Sequence, residues 1–206
     1  MLLLDLREKI PNDTFTALEL NSLLDKYANK AQKISSMMRR GEIVQIRRGL
    51  YAFSHALRRG LLSDGVLANQ IYGPSYVSED FALSYYGLIP EYPAVVTSVT
   101  IGRSREFDTP FGHFSYRYSR SRAYSVCVTV SGDDSHRFLI ATPEKALYDK
   151  ALFDKRFDGD APEEYLLEDL RLDEERLANF KKENIQALLP FMVGRMRKLG
   201  QYLEAL

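Results

Sequence analysis

The apolar positions of the first sixty residues recur at helical spacing in three blocks and then at strand spacing in two. Leu3, Leu6 and Ile10 fall one turn apart, and Pro11-Asn12-Asp13 ends that run. Thr16 followed by Glu19 is a capping box, in which the hydroxyl takes a free amide and the carboxylate reaches back. Leu20, Leu23, Leu24 and Tyr27 then form one apolar stripe, and Tyr27-Ala28-Asn29 reads as a turn. A third helix is expected over residues 30–40, with Ala31, Ile34 and Met38 inward. Lys30, Lys33, Ser35, Ser36, Arg39 and Arg40 lie on its other face, and Gly41 supplies a left-handed cap. Two β-prone runs, 43–46 and 50–53, flank Arg47-Arg48-Gly49 and predict a hairpin. Helix, helix-turn-helix and hairpin in that order describe a winged helix.

Residues 54–62 read as a linker. Beyond it the pattern predicts a helix near 63–72 and a short extended piece at Tyr76-Val77. A helix capped by Ser78 follows over 79–86, closed by Gly87. Strand-like runs at 95–101, 113–118, 124–130 and 137–141 are bounded by turn residues and are most simply an antiparallel sheet. Thr142-Pro143-Glu144 combines a cap, a first-turn proline and a first-turn acid, so a helix starts there. The last fifty residues look helical. The expected class is α+β: a winged helix-turn-helix over 1–56, then a mixed domain over 61–206 with an antiparallel sheet and a helical C-terminal region.

Charge changes this picture. The 206 residues hold 28 basic and 28 acidic side chains, a net charge of zero. Residues 1–60 carry 11 Lys/Arg against 6 Asp/Glu, and between Lys26 and Arg59 nine basic residues face only Glu42. The balance is a basic head joined to an acidic body. A helix that presents Lys, Arg and Ser to the major groove, and a hairpin tip with Arg47 and Arg48 for phosphates, point to DNA contact. The alternative is the same scaffold used for protein contacts, with solvated basic faces.

Other classes fall away. Met1-Leu2-Leu3-Leu4 is cut off by Asp5, Arg7 and Glu8 before a signal-peptide core forms. The longest charge-free apolar stretch, 92–102, is about half of the ~20 residues that span a bilayer. A single cysteine, Cys127, and three scattered histidines leave no disulfide framework and no metal-ligand spacing, so a reduced, cytoplasmic protein without a metal or cofactor is expected. Cys127 in Ser-Val-Cys-Val-Thr and His113 in its strand-like run read as structural. No Ser/His/Asp order and no glycine-rich phosphate loop stands out, so no catalytic residue is assigned. Glu144-Lys145 and Asp149-Lys150 read as surface pairing on a charged helix.

The segment from Arg39-Arg40-Gly41-Glu42-Ile43-Val44 through Arg47-Arg48-Gly49-Leu50-Tyr51 resembles the winged-helix end of AbiEi-type antitoxins. The match continues with Tyr76-Val77-Ser78-Glu79, Ala82-Leu83, Tyr86-Gly87-Leu88, Thr109-Pro110-Phe111-Gly112 and Thr142-Pro143-Glu144-Lys145-Ala146-Leu147-Tyr148-Asp149. The resemblance implies a two-domain antitoxin of a type IV toxin–antitoxin system. Its first domain would bind inverted repeats in its own promoter and repress the operon. Its second would be needed to neutralise a nucleotidyltransferase-like toxin, with no stable complex implied. On these terms Tyr76, Ser78, Glu79, Tyr86, Glu144, Lys145 and Asp149 are the motif residues of the second domain. Many relatives carry a Ser-His or similar pair where this chain has Ser78-Glu79-Asp80.

Two competing readings belong to other classes. A DNA-guided nuclease or nucleotide-modifying enzyme would need a carboxylate cluster, for which Asp133, Asp134, Glu144 and Asp149 are the loose candidates. An interaction module would use the acidic C-terminal helices as a partner surface.

Overall fold

The structure is a computed structural model that describes residues 3–134 and 136–206. Met1 and Leu2, which open the apolar N-terminal run, lie outside the described residues. The fold is mixed α and β, and the chain divides into two compact units. The first comprises residues up to Ser63 together with Asp108–Gly112, and the second holds the rest. Among the described residues, no helix is long and apolar enough to cross a membrane.

In the first unit, α1 (Leu3–Lys9), α2 (Ala17–Leu23) and α3 (Lys30–Arg39) accompany a three-stranded antiparallel sheet. The capping box is formed: Thr16 Oγ1 accepts from the Glu19 amide at 3.2 Å, and the Thr16 amide donates to Glu19 Oε2 at 2.7 Å. The expected hairpin is β2 (Ile43–Arg47) with β3 (Leu50–Phe53), turned at Gly49, whose φ of +87° favours glycine. A third strand, β1 (Thr14–Thr16), pairs with β3 so that Thr14 faces Ala52, and the sheet order is β1-β3-β2. Three residues between a turn and a capping box are too short to show a period, which is why the pattern missed it.

The core of this unit joins Leu6, Ile10, Phe15, Leu20, Leu24, Ile34, Met37, Ile43 and Phe53, with Phe15 and Phe53 rings 4.7 Å apart. Arg7 is the polar post within it. Its guanidinium lies over the Phe53 ring at 4.7 Å and donates to Ile10 O, Leu57 O and Asp13 Oδ1. Asp13 also accepts from the Arg59 and Gly60 amides. The stretch expected to be a linker is tied to the first unit as far as Gly60.

The second unit opens with α4 (Asp64–Ile71), β4 (Ser75–Val77) and α5 (Glu79–Tyr85). Next come β5 (Val95–Thr100), β6 (Arg105–Thr109), β7 (Gly112–Tyr118), β8 (Val128–Ser131) and β9 (Phe138–Ala141). The sheet has six strands in the order β6-β7-β5-β4-β9-β8. It is not purely antiparallel, as the spacing suggested. β5 runs parallel to β7, with Val95 opposite His113, and β4 runs parallel to β9. The reason is β6, a charged edge strand that carries no alternating apolar signal. With β6 inserted between them, β5 and β7 cannot be hairpin partners.

The expected strand at 124–130 shrinks to β8. Before it the chain turns repeatedly, with the Ser121 hydroxyl accepting from the Ala123 amide, and Cys127 sits half-buried at φ +55° rather than inside a strand. The helix announced by Thr142-Pro143 is α6 (Pro143–Phe153), with Thr142 Oγ1 accepting from the Lys145 amide. The remainder is helical in short pieces: α7 (Pro162–Glu164), a π-helical turn at Tyr165–Asp169, α8 (Glu174–Ala178), α9 (Lys182–Leu188) and α10 (Met196–Ala205). Arg195 satisfies the end of α6, donating to the carbonyls of Ala151, Leu152, Asp154 and Phe157.

Candidate functional site

The first candidate surface lies on the first unit. Asn29 Oδ1 accepts from the Gln32 amide at 3.0 Å and starts α3. Ile34 and Met37 form its buried side, while Met38 is half-buried and Ala31 is exposed. Both Ala31 and Met38 were expected inward. The actual stripe follows i, i+3, and it leaves Ser35 and Arg39 fully outward.

The basic side chains on this face are not equivalent. Lys30 pairs with Asp25, and Arg40 forms a two-pronged pair with Glu42 at 2.8 and 3.0 Å. The Lys33 ammonium stands over the Tyr27 ring at 4.9 Å. Arg39, Arg47 and Arg48 are exposed and make no ion pair among the described residues. Ser36 is half-buried. Half of the expected basic set is thus already engaged within the chain, and Arg39, Arg47 and Arg48 remain open to a partner.

The second candidate site lies in the second unit, where four of the motif residues converge. Asp149 Oδ1 accepts from Lys145 Nζ at 2.9 Å. Asp149 Oδ2 accepts from the Tyr76 hydroxyl at 2.9 Å and the Ser78 hydroxyl at 2.8 Å. The Lys145 and Asp149 side chains are 0% exposed, so the expected surface pairing is wrong: this pair is interior. Spacing i, i+4 brings two charges together equally well inside or outside, and only packing decides which. The Lys145 ammonium also sits 4.6 Å from the Tyr148 ring centroid and 5.7 Å from that of Tyr76. Burial pushes the Asp149 carboxyl upward, and Lys145 with the two hydroxyls opposes it. Burial also drives the Tyr76 phenol far above its ordinary range.

Ser78 begins α5 as expected, but its hydroxyl does not cap that helix. It is taken by Asp149. Thr97 of β5 replaces it, with Oγ1 accepting from the Phe81 amide at 3.2 Å and donating to Ser78 O at 2.6 Å.

The other motif residues lie around this network in separate contacts. Glu144 is buried and accepts from the Lys181 amide at 2.7 Å and Asn184 Nδ2 at 2.9 Å, fixing the start of α9 to α6. Tyr86 donates to Ala141 O at 3.0 Å, and burial raises its phenol to about 12. Glu79 is 1% exposed at φ +53°, a left-handed conformation that costs a glutamate on the order of 1–2 kcal/mol. Its Oε2 lies 3.4 Å from Arg117, and its Oε1 has no hydrogen-bond partner. Burial outweighs Arg117 and raises this carboxyl to about 8.

Residue types and spacing did not point to Ser121, Tyr124, Tyr148 or Arg117. Ser121 meets the Tyr148 hydroxyl at 2.9 Å, and the Tyr124 ring lies 5.2 Å from that of Tyr76. Their contacts span tens of residues, and nothing local encodes them. The four carboxylates weighed for metal chemistry are not gathered. Asp133 and Asp134 are exposed in a turn with His136 and Arg137, while Glu144 and Asp149 are buried and separately partnered. Among the described residues no group of three or more His, Cys, Asp or Glu could hold a metal ion.

The Tyr76–Ser78–Lys145–Asp149 network ties α6 to β4 and the start of α5, and all four residues are buried.

No protein-family model and no curated protein matches the sequence. Among solved structures, the crystal structure of the RV2827C protein from Mycobacterium tuberculosis is similar. The match covers 98% of this chain and 74% of that one, with a TM-score of 0.63 and 18% identity. At that identity the likeness is one of fold.

Proposed function

We propose that this protein is a DNA-binding antitoxin of the type IV kind, which represses its own operon and neutralises a nucleotidyltransferase-like toxin. In this reading the first unit is a winged helix-turn-helix. Helices α2 and α3 form the helix-turn-helix, α3 enters the major groove, and the β2–β3 turn is the wing. The observation that carries it is the set of three exposed, unpaired arginines, Arg39 on α3 with Arg47 and Arg48 at the turn. These sit on the two elements that such a scaffold offers to DNA. Lys33, Ser35 and Ser36 on the same helix add contacts of the type that read base edges.

Support for the second half is the resemblance of the motif segments, together with the convergence of Tyr76, Ser78, Lys145 and Asp149 on one buried network. Side chains that meet this way across some seventy residues make a coherent set rather than scattered coincidences. The protein would act in the cytoplasm, on operator DNA.

A gel-shift titration of the DNA upstream of its operon, repeated at rising salt, tests the DNA half. Sequence preference over random duplex and a steep loss of affinity with salt are expected. Flat salt dependence without preference would remove it. Co-expression with the product of the neighbouring gene tests the antitoxin half, with rescue of growth as the readout.

A further inference from the structure

We propose that Glu79 is a proton-operated latch at the start of α5. Neutral, it lies folded into the second unit; on losing its proton it turns outward and opens the first turn of that helix. The device is separate from the DNA reading of the first unit and does not rest on it.

Three features meet at this residue. Its side chain is 1% exposed, its Oε1 has no hydrogen-bond partner among the described residues, and its backbone is held at φ +53°. A buried polar atom without a partner and a left-handed backbone at a residue other than glycine are each unfavourable, and they persist only where the surroundings hold them. Both neighbours in the chain are anchored. The Ser78 amide donates to Thr97 O at 3.0 Å, its carbonyl accepts from Thr97 Oγ1 at 2.6 Å, and its hydroxyl donates to Asp149 at 2.8 Å. Asp80 accepts from Lys150 Nζ at 2.8 Å. Between these anchors the first helical bond, from the Ala82 amide to Ser78 O, is long at 3.5 Å.

The charges that face Glu79 are Arg117 on β7, Asp149 and Lys150 on α6, and Asp80 beside it on α5. Lys150 is held by Asp80 and lies 3.8 Å from Asp154, and Asp149 is held by Lys145. Arg117 is the remaining cation of the set. Its side chain is 47% exposed, lies 3.4 Å from Oε2, and stands 5.7 Å from the Phe153 ring centroid. A neutral carboxyl tolerates one bare oxygen in such a place. A carboxylate with a bare oxygen and one half-exposed cation does not, because its desolvation is left unmatched. Turning outward returns the charge to water and releases the left-handed backbone. The anchor that yields is the Asp80–Lys150 pair, which is the more exposed of the two. The neutral form holds up to about pH 8, so the latch is closed below that value and open above it.

Carboxyl and methyl carbon NMR of the full chain, titrated on both sides of pH 8, tests the latch. One carboxyl signal should titrate near 8 and be missing from Glu79→Gln. The methyl signals of Thr97 and Ala82 should move with the same midpoint. In Glu79→Gln they should stay at the parent's low-pH positions throughout. Arg117→Met should raise the midpoint by about one pH unit or more, and Asp80→Asn should lower it, since one removes a cation and the other an acid. These two variants read the latch even where Glu79→Gln does not fold. A Glu79 carboxyl that titrates in the ordinary range near 4.5 would overturn the proposal. So would titration near 8 with neither methyl signal moving, or a midpoint that Arg117→Met and Asp80→Asn leave unchanged.

Discussion

Lys145 donates to Asp149 one helical turn further along α6, at 2.9 Å, with both side chains wholly inside the second unit. The pair is the centre of a network that also binds Tyr76 and Ser78. Removing one partner strands the other charge in the interior, at a cost of about 3–5 kcal/mol. Lys145→Met and Asp149→Leu should each destabilise by that order in urea denaturation. The double variant should recover a large part of the loss, because no unpaired charge remains. Strictly additive losses would show that the two residues are not coupled in this way.

Glu79 gives the fold a pH dependence whose sign can be stated. Burial raises its carboxyl from the ordinary 4.5 to about 8 in the fold. Between those values the folded chain holds a proton that the unfolded chain has lost, so unfolding releases it and stability falls as pH rises. The slope is about 1.4 kcal/mol per pH unit at most, and it levels off above about pH 8. Arg117 and Lys150 act against the shift, while Asp149 and Asp80 add to it. Glu79→Gln should be increasingly stabilising relative to the parent from pH 5 to 8, by comparison of urea midpoints. Parallel profiles for the two proteins would sink the assignment.

Arg7 holds three stretches of the first unit at once: the end of α1, Asp13 and Leu57. Arg7→Ala should cost about 3 kcal/mol, because three carbonyl and carboxylate partners lose a buried cation, although half-buried Asp13 keeps the Arg59 and Gly60 amides. Arg7→Lys should recover only part, since a point charge cannot replace a five-donor fork. Full recovery by lysine would mean that charge alone, rather than geometry, is what the site needs.

On the proposed DNA-binding reading, Arg47→Ala with Arg48→Ala at the β2–β3 turn should lower the magnitude of the salt slope of binding by about two. The affinity loss should be a few kcal/mol at most, since exposed charge contacts are individually modest. Unchanged binding in the double variant would count against the turn as a wing.

How far the sequence could be read depends on the range of the signal. Thr16 with Glu19, and Thr142 with Pro143, name helix starts because a cap is satisfied within three or four residues. Ser78 had the same local signature, yet its hydroxyl goes to Asp149, seventy-one positions away, and Thr97 takes its place. The interior position of Glu144, Lys145 and Asp149 had one neglected trace. Ala146, Leu147, Tyr148, Ala151, Leu152 and Phe153 surround α6 and leave little arc for a solvated face.

By itself the sequence determined the α+β class, the basic head, most helix starts and the hairpin, since periodicity, capping and turn chemistry act between near neighbours. The tertiary structure decided three further things. It placed β6 beside β7 and so made β5 and β7 parallel. It turned a charged helix inward around Asp149. It gave the Ser78 hydroxyl to Asp149 and left the start of α5 to Thr97. Each depends on which distant segments share a sheet or a core, and that is fixed by the packing of the whole chain rather than by any short pattern along it.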